Sequence, residues 1–121
     1  MNVETAKRLR MRPHDAAEAA RELAEFCSGR TRADLRTDRT LQLVVQKLIE
    51  IVGEALRQAE ILDPSLVRTI PDLREIVDTR NRIIHGYESV DYSLLWDIVQ
   101  DDIPQLRTRL ARLLRNAPDL G

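Results

Sequence analysis

Aromatic residues are almost missing from this chain: Phe26, Tyr87, Tyr92 and Trp96 make up 3% of its 121 residues. Valine and isoleucine fall mostly within helical patterns, so a β-sandwich or barrel lacks its usual building material. Glycine and proline are also scarce, with four and five residues, which excludes collagen-like and low-complexity classes. The single cysteine, Cys27, has no internal disulfide partner. No apolar run approaches the ~18 residues that span a bilayer, and none reads as a secretory signal. A reducing cytoplasm is the expected home, with no membrane association. Only two histidines occur, and there is no CxxC, HExxH or calcium-type carboxylate run. Neither a metal nor another cofactor is expected.

What is present suits amphipathic helices around one core: 43% hydrophobic and 32% charged residues, in a length that fits one domain. The net charge of −1 draws no nucleic acid globally, so an RNA site has to be a local patch. Lys7 and Lys47 are the only lysines. Every other cationic side chain is an arginine, whose planar fork matches phosphate.

Residues 1–12 carry Lys7, Arg8, Arg10 and Arg12 against Glu4. Pro13 is expected to break any helix there, giving a basic N-terminal arm before a helical domain at 13–121. From His14 to Cys27, Ala16, Ala20, Leu23, Ala24 and Cys27 recur at helical spacing, and Gly29 supplies a stop. His14 then reads as a neutral surface residue in the first turn, and Cys27 as packed. Thr37 or Asp38 caps a long second helix with the stripe Leu41, Val44, Val45, Leu48, Ile51, Val52, Ala55, Leu56 and Ala59. Gly53 inside it marks a close helix-helix approach, and Glu50 with Glu54 reads as a solvated or ion-paired face. Asp63-Pro64 ends this helix and a short segment runs to Ile70. Pro71 opens a third helix with Leu73, Ile76, Val77, Ile83 and Ile84 apolar and Gly86 as its stop.

Asp91 caps the last helix, whose apolar positions run from Leu94 to Leu114. Pro104 should kink or split it near Asp101-Asp102, which read as solvated caps. Trp96 reads as core or interface packing. The expected fold class is all-α: an antiparallel up-and-down four-helix bundle with a short extra helical segment and a kinked last helix.

Arg80-Asn81-Arg82-Ile83-Ile84-His85-Gly86-Tyr87 is the cluster that combines cations, a histidine and a helix end. RNA is cleaved without a metal when its own 2′-hydroxyl attacks the phosphate. That reaction needs an acid/base group of near-neutral pKa and cations for the phosphorane. His85 and the arginines are the right types. At about 100° per residue, Asn81 lies about 40° and Arg82 about 60° from His85, whereas Arg80 is about 140° away. Arg80 joins His85 if the helix unwinds before Gly86, if its long side chain reaches, or if a symmetric dimer supplies it.

The run RNRIIHGY followed by VDYSLLWDIVQDDIPQL, with Phe26-Cys27-Ser28-Gly29 and IEIVGEA at 49–55, resembles the HEPN-domain HepT-like family. The similarity covers nearly all of the chain after residue 12. In that family an arginine and a polar residue precede a histidine, with a tyrosine two residues later, and Arg80, Asn81, His85 and Tyr87 occupy those places. The resemblance implies a homodimeric ribonuclease toxin with RNA as substrate, paired with a small nucleotidyltransferase antitoxin that transfers AMP to Tyr87. It makes His85 the proton-transfer group, Arg80 the phosphate clamp and Asn81 an orienting partner. Arg82 falls at a variable position and is a candidate RNA-phosphate contact on helical geometry alone. The family often carries Pro-Trp before the motif helix, where this chain has Ile70-Pro71-Asp72-Leu73. The alternative on the same fold is a non-catalytic scaffold subunit that the nucleotidyltransferase modifies. A third reading is a purely structural helical dimer.

Overall fold

The structure is a computed structural model that describes residues 3–86 and 90–116. Helix α1 (Val3–Cys27) passes through Pro13 without interruption. The expected break is therefore absent: residues 3–12 continue the helix, and His14 is exposed in its middle. A proline inside a helix forfeits a backbone bond, at a cost of about 3 kcal/mol. Here the Pro13 ring is itself buried and leads into the fully packed face of Ala16, Ala19, Ala20 and Leu23. Packing thus offsets the local defect. Gly29 terminates the helix as expected, with a φ of +75° that L side chains avoid.

Helix α2 (Arg32–Thr37) is too short for its periodicity to be read from the sequence, and rests on a reciprocal cap. The Thr31 hydroxyl accepts from the Asp34 N–H at 3.2 Å while Asp34 accepts from the Thr31 N–H at 2.9 Å. Of the two candidate caps for α3 (Arg39–Leu62), Asp38 is the one used, accepting from the Leu41 N–H at 3.1 Å. That bond, and then the Arg30 guanidinium, hold the Asp38 carboxyl below the usual carboxylate range. Asp63-Pro64 ends α3, and α4 (Leu66–Thr69) is the expected short segment. Helix α5 (Leu73–His85) begins after Pro71, which stands just before the cap residue Asp72 rather than in the first turn.

Asp91 caps α6 (Tyr92–Asp97), accepting from the Leu94 N–H at 3.1 Å. The chain then widens into a π-helical turn, Ile98–Asp102, before α7 (Ile103–Asn116). The Ile103 N–H bonds the Ile98 carbonyl five residues back. Pro104 has no N–H to offer the carbonyl four residues before it, and the wider turn relieves that mismatch without ending the helix.

Among the described residues there is no strand. Helix α1 packs on α3 and α7, and α3 packs on α5. The last two run antiparallel: Glu54 pairs with Arg80 at 2.7 Å and Glu60 with Arg74 at 3.1 Å. Leu23, Ile49, Leu56, Ile76 and Leu106 of these helices, and Leu95 of α6, are fully buried. Trp96 and Cys27 join that core, and burial pushes the Cys27 thiol up. Two residues of the expected apolar stripes do not enter it. Ile51 is 39% and Ile84 43% exposed.

Gly53 is the point of closest approach. A Cβ there would stand 2.5 Å from the Arg80 Cβ and 2.9 Å from its Cγ, so α3 and α5 meet through the missing side chain. Gly53→Ala gains about 1 kcal/mol of helix propensity, but is expected to lower stability by about 1–3 kcal/mol net through overpacking. Urea denaturation measures this, and a more stable variant would show that α5 can shift freely.

At the far end of α5, the carboxylates of Asp72, Glu75 and Asp102 lie within 4.8 Å of one another. Asp102 is half-buried there, not the solvated cap expected, whereas Asp101 is exposed. Burial, followed by the charges of Glu75 and Asp72, pushes the Asp102 carboxyl up to about 6 from 3.8. The folded chain thus holds this proton more tightly than the unfolded chain, and its contribution to stability is lost as pH rises from 3.8 through about 6. Asp102→Asn should flatten that loss and leave the variant more stable than the wild type near neutral pH. Denaturation midpoints across the same pH range test it.

Candidate functional site

Helix α5 is regular to its end: the Gly86 N–H bonds the Arg82 carbonyl at 2.9 Å. It does not unwind before Gly86, so the angular separation of Arg80 from His85 is real. The two side chains open on different concavities. Arg80 lines a groove of about 560 Å³ between α1, α3 and α5, together with Glu50, Ile51, Glu54 and Ile84. His85 and Arg82 line a cleft of about 450 Å³ with Thr79, Val90, Leu94 and Leu95.

Arg80 is 21% exposed, and both of its terminal nitrogens have partners. One terminal nitrogen meets the Glu54 carboxylate at 2.7 Å and the other donates to the Asn81 side-chain oxygen at 2.8 Å. Its Nε is buried without a hydrogen-bond partner. The long side chain therefore reaches Glu54 on α3 and not His85. Asn81, placed near His85 by helical angle, has its oxygen committed to Arg80. Arg82 and His85 are exposed, and among the described residues neither side chain makes a hydrogen bond. The chain thus brings Arg80 together with Asn81, and Arg82 together with His85, but it does not join the two pairs. Tyr87, expected to be the modified residue, lies outside the described residues.

Glu54 is the participant that sequence reasoning placed only on an ion-paired face. It is that, with a particular partner: its Oε2 is ion-paired with Arg80, while its Oε1 accepts from Gln58 at 2.9 Å and lies 3.6 Å from Arg57. The usable signal was its place beside Gly53, where a second helix has to come close. Glu50 similarly pairs with Lys47 at 3.8 Å. Around Arg80 the groove is acidic, since Asp15, Glu18, Glu22, Glu50 and Glu54 outnumber Arg12, Lys47 and Arg80 itself. The cleft beside His85 carries Arg82 against Asp91.

Asp72, Glu75 and Asp102 form the one group of carboxylates among the described residues with the mutual spacing of cation ligands. They flank the start of α5, about 20 Å from His85 by the rise of the helix. No helix among the described residues is long and apolar enough to cross a membrane.

Comparison with known proteins converges on one family. The family model described as "Ribonuclease HepT-like" matches residues 16–113. A "Probable ribonuclease HepT" of Thermococcus cleftensis is 33% identical over 101 residues, covering 82% of this chain and 89% of its own. A "Putative RNase MJ1380" of Methanocaldococcus jannaschii is 30% identical over 96 residues, covering 78% of this chain and 85% of its own. No solved structure matches. The match runs from within α1 into α7 and includes all of α3 and α5, and on that basis the chain belongs to the ribonuclease HepT-like family.

Proposed function

We propose that this protein is an endoribonuclease that cleaves RNA without a metal, with its site assembled between two chains. The observation that carries the proposal is the face of α5 at its C-terminal end. There the side chains of His85 and Arg82 stand exposed and free of hydrogen bonds to the described residues, on a cleft in a family of ribonucleases. Neutral His85 accepts the proton of an RNA 2′-hydroxyl as its oxygen bonds phosphorus. The P–O5′ bond breaks, and the imidazolium returns the proton to the departing 5′-oxygen. The products are a 2′,3′-cyclic phosphate and a free 5′-hydroxyl. Arg82 holds a neighbouring phosphate, and Arg80, oriented by Asn81, stabilises the charge on the phosphorane.

Within one chain Arg80 faces another groove, so a second copy is the natural source of the arginine. Ile51 and Ile84, apolar and exposed beside Arg80, supply a surface for that association. His85→Ala should abolish cleavage measured in chelator, and unchanged cleavage would sink the assignment. A mixture of Arg80→Ala and His85→Ala proteins, each inactive alone, should regain about a quarter of wild-type activity after subunit exchange, since half the dimers then carry one intact site. No recovery would place Arg80 and His85 in one chain.

The regulatory side of the proposal is that a partner nucleotidyltransferase, acting as antitoxin, transfers AMP to Tyr87. A phosphate two residues from His85 would repel RNA from the cleft by charge and bulk. A second reading, a non-catalytic scaffold that is only a substrate of that enzyme, is favoured by the engagement of Arg80 with Glu54. Intact mass after incubation with the nucleotidyltransferase and ATP should rise by one or more adenylyl groups, and Tyr87→Phe should remove the gain. RNA cleavage by the unmodified dimer then separates the two readings.

A further inference from the structure

Every nitrogen of Arg80 is spoken for or shut away in this structure. Its two terminal groups meet Glu54 at 2.7 Å and Asn81 at 2.8 Å, and Nε is buried. The backbone of α3 at Gly53 lies against the Arg80 Cβ and Cγ, too close for any side chain at position 53, so the base of the arginine is packed on α3. The guanidinium has further N–H groups, but a phosphate arriving at either terminal nitrogen meets a partner already there.

Asn81 is neutral, adjacent in sequence, and compatible with a bound anion. Glu54 is different. Its carboxylate offers a guanidinium the same anionic oxygens that a phosphate would, and like charge keeps the two from sharing one fork. Glu54 also has somewhere to go: its side chain is 39% exposed, Gln58 holds its other oxygen at 2.9 Å, and the Arg57 guanidinium lies 3.6 Å away.

We propose that Glu54 is a positioning residue that occupies the phosphate place on Arg80 in the free protein and yields it to RNA. This rests on the reading that Arg80 meets an RNA phosphate. While empty, the site keeps the arginine extended over Gly53 and its charge neutralised; when RNA arrives, Glu54 turns toward Arg57. The carboxylate thereby weakens binding of any single phosphate, and RNA that engages Arg82 at the same time is favoured over small anions.

The test uses full-length protein carrying His85→Ala, so that RNA stays intact, and a fluorescent single-stranded oligoribonucleotide in chelator. Adding Glu54→Gln should tighten binding by about two- to fivefold at low salt, the equivalent of a half-exposed ion pair. The gain should shrink as salt rises and vanish when Arg80→Ala is also present. Glu50→Gln removes a carboxylate from the same groove without touching Arg80, and should give a smaller gain that survives Arg80→Ala. Should Glu54→Gln fail to fold, Glu54→Asp shortens the reach while keeping the charge, and should still tighten binding.

Unchanged or weaker binding by Glu54→Gln overturns the inference. So does a gain that persists without Arg80, or one that Glu50→Gln matches. Wild-type cleavage, assayed alongside, separates the two levels. If RNA is cleaved but Glu54 and Arg80 are uncoupled, only this inference falls; if binding is coupled but nothing is cleaved, the catalytic reading falls and this one stands.

Discussion

The approach of α3 to α5 at Gly53 is the constraint from which the rest of the molecule's functional geometry follows. Because the glycine has no side chain, the backbone of α3 lies against the Cβ and Cγ of Arg80. That contact sets the rotation of α5 about its own axis, and with it which residues face each side. Ile76 and Ile83 turn into the core, Arg80 is directed to Glu54, and Arg82 with His85 is left on the opposite cleft. The antiparallel pairs Glu54–Arg80 and Glu60–Arg74 run along the same seam. Their worth in stability is modest for half-exposed ions. Their service is to fix the register of one helix against the other.

Features decided within a few residues were legible in the sequence. Gly29, Asp38, Asp63-Pro64 and Asp91 end or cap helices where the local chemistry says they should. Gly53 could be read as a near contact because nothing else excuses a glycine in the middle of a buried stripe. Features decided by tertiary packing were not legible. Pro13 reads as a break, yet it is carried inside α1 by the packing of the alanine face that follows. Ile51 and Ile84 fit the helical period and still stay exposed, because the neighbouring helices leave a groove there. Helix α2 is not legible because a six-residue helix has no periodicity to detect, although its Thr31–Asp34 cap is present in the sequence.

The site divides the same way. Residue types in the segment 80–87 pointed to phosphate chemistry, and angular spacing set Arg80 apart from His85. The structure keeps that separation, since α5 stays regular to Gly86. What spacing could not supply is the identity of the group that takes Arg80 instead. That depends on a residue 26 positions earlier in the chain, on a helix whose orientation no local pattern reveals. The acidic character of the groove around Arg80 is likewise a product of three helices converging, invisible in a chain whose overall charge is close to zero.

The π-helical turn at Ile98–Asp102 also lets the last helical stretch keep one face on the core past Pro104. The apolar residues Leu95, Val99, Ile103, Leu106 and Leu110 run 15 positions from first to last, and all five are buried. In a regular helix positions that far apart differ by about 60° around the axis, which is within the width of an apolar face. A full break at the proline would end that stripe, whereas one widened turn carries the chain through. A proline that looks like an interruption is thus read through, and α7 beyond it still packs on α1.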